Sequence, residues 1–101
     1  MARGIMHVEA GPVSPDRVEE FHAWYDQHVR ELLEIDGVVS VRRYAMVNDD
    51  STFVAMYELE GDDIEVVRLR IAEARKADRT PPAVRTDPPP RVRLLELIAE
   101  Y

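Results

Sequence analysis

The residue pattern of this 101-residue chain predicts an α+β fold, with one antiparallel sheet carrying two helices on one face. Three observations carry that prediction. Four segments read as strands, by period-two alternation or by their β-branched content. Two segments place apolar residues at steps of three and four, the mark of amphipathic helices. Short polar or glycine-proline breaks separate them in the order β-α-β-β-α-β.

Residues 4–10 make the first expected strand. Ile5, His7 and Glu9 point one way while Met6, Val8 and Ala10 point the other. Gly11-Pro12 ends it. A helix then begins, with Ser14 suited to the N-cap, Pro15 to the first helical position and Asp16 to the positive end of the dipole. Val13 and Val18 are spaced as a hydrophobic staple. The apolar stripe runs Val18, Phe21, Tyr25, Val29, Leu32, with Leu33 beside it, and Gly37 is placed to stop the helix.

The second strand, 38–47, is rich in β-branched residues (Val38, Val39, Val41, Val47). Asn48-Asp49-Asp50-Ser51 is a turn, and the third strand, 52–59, alternates Phe53, Ala55, Tyr57, Leu59 against Val54, Met56, Glu58. Gly61-Asp62-Asp63 leads into a second helix, 63–78, with a stripe of Ile64, Val67, Ile71 and Ala74. Residues 80–90 hold five prolines, so they form a stiff extended loop, either a spacer or a lid or dimer-embracing arm. The last strand, 91–99, carries Val92, Leu94, Leu95, Leu97 and Ile98. This order is the ferredoxin-like split βαβ pattern, and residues 1–101 have room for a single domain. The first, second and fourth strands are apolar on both faces, which predicts a homodimer with two sheets packed face to face.

Composition narrows the function classes. The net charge of −7 argues against nonspecific binding of nucleic acid or anionic membrane, since either needs a basic patch. The basic pairs Arg42-Arg43, Arg68 with Arg70, and Arg91 with Arg93 read as solvated surface. With no cysteine there is no disulfide, thiolate nucleophile, cysteine-held zinc or iron–sulfur cluster. Residues 1–9 hold no apolar core fit for a signal peptide, and no apolar run approaches the roughly 18 residues of a membrane span, so the expectation is a cytoplasmic protein. There is no nucleophile motif, phosphate loop or dinucleotide fingerprint. His22 and Asp26 stand at i, i+4, but three histidines scattered over two elements do not make a metal pattern, so neither metal nor cofactor is expected.

The most informative stretch is Phe21-His22-Ala23-Trp24-Tyr25-Asp26-Gln27-His28, which holds two of the three histidines and three of the seven aromatics. Together with Leu32-Leu33-Glu34-Ile35-Asp36-Gly37-Val38-Val39-Ser40-Val41-Arg42-Arg43-Tyr44 and the aromatic strand Phe53 to Leu59, it resembles the dimeric α/β-barrel superfamily, and within it the small EthD-like proteins. The resemblance spans residues 4–79 and leaves out the proline-rich segment. It rests on a Trp-Tyr pair, a downstream helix histidine and an Arg-Arg-aromatic strand; the family's Pro-Gly reads Asp36-Gly37 here, and Val29 stands where a proline often follows the histidine. The superfamily includes cofactor-free monooxygenases, polyketide cyclases, decarboxylases and proteins of unknown role, so the likeness speaks to fold before activity.

On a helical wheel His28 falls on one flank of the stripe, beside Trp24 and Leu32, and His22 on the other. An imidazole titrating near neutrality makes His28 the expected general acid or base, with a structural, hydrogen-bonded histidine as the bland alternative. Tyr25, near the centre of the stripe, is expected to offer its hydroxyl to substrate unless it is simply core. His22, Trp24, Tyr44, Tyr57 and Arg43 are candidate substrate contacts, Trp24 alternatively packing a helix edge and Arg43 alternatively forming a surface ion pair. His7 lies either across the pocket from the first helix or in the dimer interface.

The expected function is a small cofactor-free enzyme that cyclises, dehydrates or decarboxylates an aromatic or polyketide-like hydrophobic molecule by proton transfer. A polyketide cyclase or lyase would be of this kind. The alternatives are a cofactor-free monooxygenase and a non-catalytic binding or auxiliary protein of the same fold.

Overall fold

The computed structural model describes residues 1–76 and 81–101. Its elements are β1 (Ala2–Ala10), α1 (Val18–Leu32), β2 (Val38–Met46), β3 (Asp49–Gly61), α2 (Ile64–Arg75) and β4 (Arg91–Glu96). The four strands lie in the order β2-β3-β1-β4, every neighbour antiparallel. This is the expected ferredoxin-like fold.

Alternation decides the two faces of the sheet. Met6, Val8 and Ala10 of β1 are buried toward the helices, as are Ala55, Tyr57 and Leu59 of β3. Phe21 from α1 and Val67 from α2 close on Tyr57 and Leu59, and among the described residues these four are the largest side chains shut off from solvent. The opposite face carries Ile5, His7 and Glu9, paired with Glu58, Met56 and Val54 of β3. Tyr44, paired with Val54, and Leu95, paired with Ile5, extend that face at 46% and 49% exposure.

The helix boundaries differ from the expectation. Pro15–Arg17 is a 3-10 turn, and α1 starts only at Val18. Ser14 is extended and makes no side-chain cap; its carbonyl accepts the Arg17 N–H at 3.1 Å. At the far end α1 stops at Leu32, and i→i+3 turns carry the chain to Gly37. Gly37 sits at φ +102°, and a Cβ there would meet Val67 Cγ2 at 2.6 Å. Its service is therefore to swing the chain into β2 beneath α2, not to cap the helix directly.

In α2 the Asp63 carboxylate caps the helix by accepting the Glu65 N–H at 3.0 Å. Ile64, Val67 and Ile71 are buried, but Ala74, expected on the stripe, is exposed. At about 100° per residue it stands some 50° off the centre of that stripe, on the side turned from the core. The expected helix end at 77–78 and Thr80 lie outside the described residues. Among the described residues no helix is long and apolar enough to cross a membrane.

The proline-rich segment is fastened to the β1–α1 connection. Val13 donates to Ala83 O at 2.8 Å and Arg85 donates to Gly11 O at 2.9 Å. Ala83 and Val84 are buried in the main core. A segment with two core residues is more than a spacer, and its place at the end of β1 is away from the helix-lined cavity described below. β4 ends at Glu96, short of the expected 99; Leu97 still donates to Arg3 O at 2.8 Å, but Ile98 is 95% exposed.

Candidate functional site

Steps of four, three and four residues put Phe21, Tyr25, His28 and Leu32 on the buried line of α1. The stripe drawn through Val29 is corrected: His28, 5% exposed, takes that inward place and Val29 is half-buried. Either choice satisfies a period of 3.6, so patterning alone does not separate them. Aromatic contacts favour the histidine. The Trp24 ring stacks on His28 with 4.5 Å between centroids and 14° between planes, and Tyr25 meets the same imidazole edge-on at 5.7 Å.

His28, Tyr25 and Tyr57 line one cavity of about 370 Å³ between α1, α2 and the sheet. Met6, Val8, Leu32 and Ile71 supply apolar wall. Burial pushes the Tyr25 hydroxyl above its ordinary range, and the charges of Arg75 and Arg43 pull it partly back. Burial pushes Tyr57 up still further, the neighbouring Tyr25 adds to it, and the same two arginines oppose it. Both phenols are therefore neutral near pH 7 and act as hydrogen-bond donors. Among the described residues neither hydroxyl has a hydrogen-bond partner. A second concavity, of about 430 Å³ and lined by Pro15, Val18 and Phe53, carries neither histidine nor tyrosine among the described residues.

Arg43 and His22 form a separate group beside this cavity. Arg43 Nη2 donates to His22 Nδ1 at 3.0 Å, and its guanidinium lies 4.6 Å from the centroid of the Tyr25 ring. Asp26 stands 3.8 Å from Arg43 Nη1. His22 packs edge-on to Phe53 at 4.6 Å. Its pKa lies below the ordinary histidine value, chiefly from partial burial and next from the Arg43 charge, with Asp26 opposing. Because a guanidinium only donates, Nδ1 accepts and the neutral ring carries its proton on Nε2.

Five of the eight candidates do not line the cavity: Arg43, His22 and Trp24 stand beside it, and the other two lie on the far side of the sheet. Tyr44 and His7 sit on the sheet's outer face, since the β2 and β1 residues facing the helices are their chain neighbours. His7 therefore does not lie across the cavity from α1, and its Nδ1 is buried without a hydrogen-bond partner among the described residues. Trp24 supports His28 from beside the cavity.

Two residues were missed. Arg68 and Arg75 of α2 both line the cavity. Of the pair that reads as solvated surface in the sequence, Arg68 borders the cavity and Arg70 turns away, donating to Asp36 O at 3.0 Å. The available signal was spacing: 68, 71, 72 and 75 stand at i, i+3, i+4, i+7, one face of a helix. Among the described residues no group of three His, Cys, Asp or Glu gathers as metal ligands would.

The sequence matches no family model and no curated protein. In structure the chain is similar to a protein of unknown function from Nitrosomonas europaea, with TM-score 0.64 at 16% identity over 100% of this chain and 94% of that one. It is equally similar to a "putative monooxygenase" from Shewanella loihica PV-4, with TM-score 0.64 at 11% identity over 99% of each chain. At these identities the likeness is one of fold alone.

Proposed function

We propose that this chain is a small cofactor-free catalyst for an aromatic or polyketide-like molecule bound in the α1–α2 cavity. The carrying observation is that His28, Tyr25 and Tyr57, from one helix and one strand, line the same largely apolar space of about 370 Å³. That volume is within the ordinary range of small-molecule sites, roughly 300–1,000 Å³. His28 takes or returns a proton at carbon or oxygen. The Tyr25 and Tyr57 hydroxyls donate to a carbonyl or phenolate oxygen as charge develops on it. General acid–base help of about 10²–10⁴-fold suits substrates already prone to enolise, for cyclisation, dehydration or decarboxylation.

A second reading, cofactor-independent oxygenation, is favoured by the name of the Shewanella neighbour, whose fold matches over nearly its whole length. The same cavity would then hold a phenol or quinol. In both readings the protein is an EthD-like cytoplasmic homodimer, its outer sheet face covered by a second copy through Tyr44, Val54, Met56, Ile5 and Leu95.

The test is a turnover assay. Wild type and His28→Ala are incubated with aromatic polyketides, phenols and quinols, while mass spectrometry follows the ligand and an electrode follows oxygen. Turnover lost in a folded His28→Ala supports the proton-transfer role, and retained turnover removes His28 from it. Oxygen uptake selects the second reading. A ligand bound by wild type but unchanged over time makes the protein a carrier.

A further inference from the structure

The cavity's lining is electrostatically one-sided. The chain as a whole holds 20 acidic and 13 basic residues. Yet among the described residues no carboxylate lines the cavity, while Arg68 and Arg75 do. An excess of acid elsewhere and its absence here point to a ligand that carries negative charge.

The geometry of α2 shows where that charge would sit. Arg68, Ile71, Ala72 and Arg75 all line the cavity. Seven residues at about 1.5 Å each put the two arginine Cα atoms about 10 Å apart along the helix, with an apolar step between them. The two cations differ. Arg68 donates from Nε and Nη2 to Glu65 Oε1, which already compensates its charge. Arg75 has no acidic partner among the described residues, and its charge is felt at both tyrosine hydroxyls. Arg43 is otherwise engaged, bonded to His22 and laid over the Tyr25 ring.

We propose that the ligand is an aromatic carboxylic acid of one or two rings, its carboxylate received by Arg75 with Arg68 as a second, weaker pole. The ring lies on Ile71 and Ala72 and reaches between Leu32 and Val8. Its far oxygen meets Tyr25, Tyr57 and His28. A guanidinium takes a planar carboxylate in a two-pronged contact, which a neutral ester does not reproduce. This rests on the small-molecule reading of the cavity and adds the ligand's charge to it.

The experiment is calorimetric binding of 6-hydroxy-2-naphthoate and its methyl ester to the full chain, wild type and variants. The acid is expected to bind wild type about tenfold tighter than the ester. Arg75→Gln is expected to remove that advantage, leaving ester binding unchanged, and Arg75→Lys to keep much of it. Arg68→Gln is expected to weaken the acid by less. Ala72→Trp, at an exposed lining position, is expected to block both. Equal binding of acid and ester by wild type, or an equal loss of both in Arg75→Gln, overturns the carboxylate assignment while the cavity reading stands. Unaltered binding in Ala72→Trp puts the ligand elsewhere and overturns it as well. If neither compound binds wild type, the small-molecule reading fails and the assignment with it.

Discussion

The indole of Trp24 lies flat on the imidazole of His28, 4.5 Å between centroids and 14° from parallel. Tyr25 closes the same imidazole edge-on at 5.7 Å. The ring proposed to move a proton is thus held by two aromatic neighbours from its own helix. Both contacts come from α1 itself, one residue three and one four positions before the histidine.

Trp24→Ala removes one of those walls. The side chain is half-buried and packs against the core, so a loss of about 2 kcal/mol is expected, below the 3–5 typical of a fully buried aromatic. Denaturant unfolding with an unchanged slope measures it. Trp24→Phe, which keeps a stacking ring, should recover most of the loss. Equal destabilisation by both would show that ring contact with His28 is not what stabilises this part of α1.

Tyr57→Phe separates stability from ligand recognition. The hydroxyl has no hydrogen-bond partner among the described residues, and the ring is 1% exposed. Deleting an unpaired hydroxyl should change stability by less than about 1 kcal/mol in either direction. Affinity for a phenolic or carbonyl ligand should fall about tenfold in the same variant. A stability loss well beyond that bound would mean the hydroxyl serves the fold instead.

His22 should titrate below the ordinary value of about 6.5. The direction follows from partial burial first and the Arg43 charge second. A depressed folded value means that the fold disfavours the charged ring. The stability contributed by neutral His22 is therefore fully present above the unfolded value and lost as pH falls through the folded one. Proton NMR of the imidazole reports the midpoint, and Arg43→Gln should move it back toward the ordinary value. A midpoint at or above the ordinary value would contradict the Nδ1-accepting arrangement.

Met56→Lys tests the outer sheet face. Met56 lies opposite His7, with Arg42 and Arg93 in the same cross-strand row. Adding a cation to a row that already holds two should split the expected dimer while leaving the protomer folded, because Met56 faces away from the helices. Light scattering on a sizing column reads the mass of wild type and variant. A wild type that runs as a monomer would remove the face-to-face pairing.

Element order, strand alternation and the identity of Tyr25, His28 and Tyr57 as a group worth watching could all be read from the chain. Period two assigns Met6, Val8 and Ala10 to one face and Ile5, His7 and Glu9 to the other without any coordinates. The alternation leaves open which face meets the helices, so His7 and Tyr44 could not be placed by it. The tertiary structure put them on the outer face. Helical periodicity has a similar slack: Phe21-Tyr25-Val29 and Phe21-Tyr25-His28 both fit 3.6 residues per turn, and only packing against Trp24 and the sheet chose the histidine. Arg68 and Arg75 were hidden for the same reason. A charged side chain on a helix reads as solvated until the fold reveals what its flank covers, because long basic side chains can border an apolar cavity while keeping their heads in water. Local patterning therefore determined which residues share a face, and the packing of α1 and α2 on the sheet decided which face encloses the cavity.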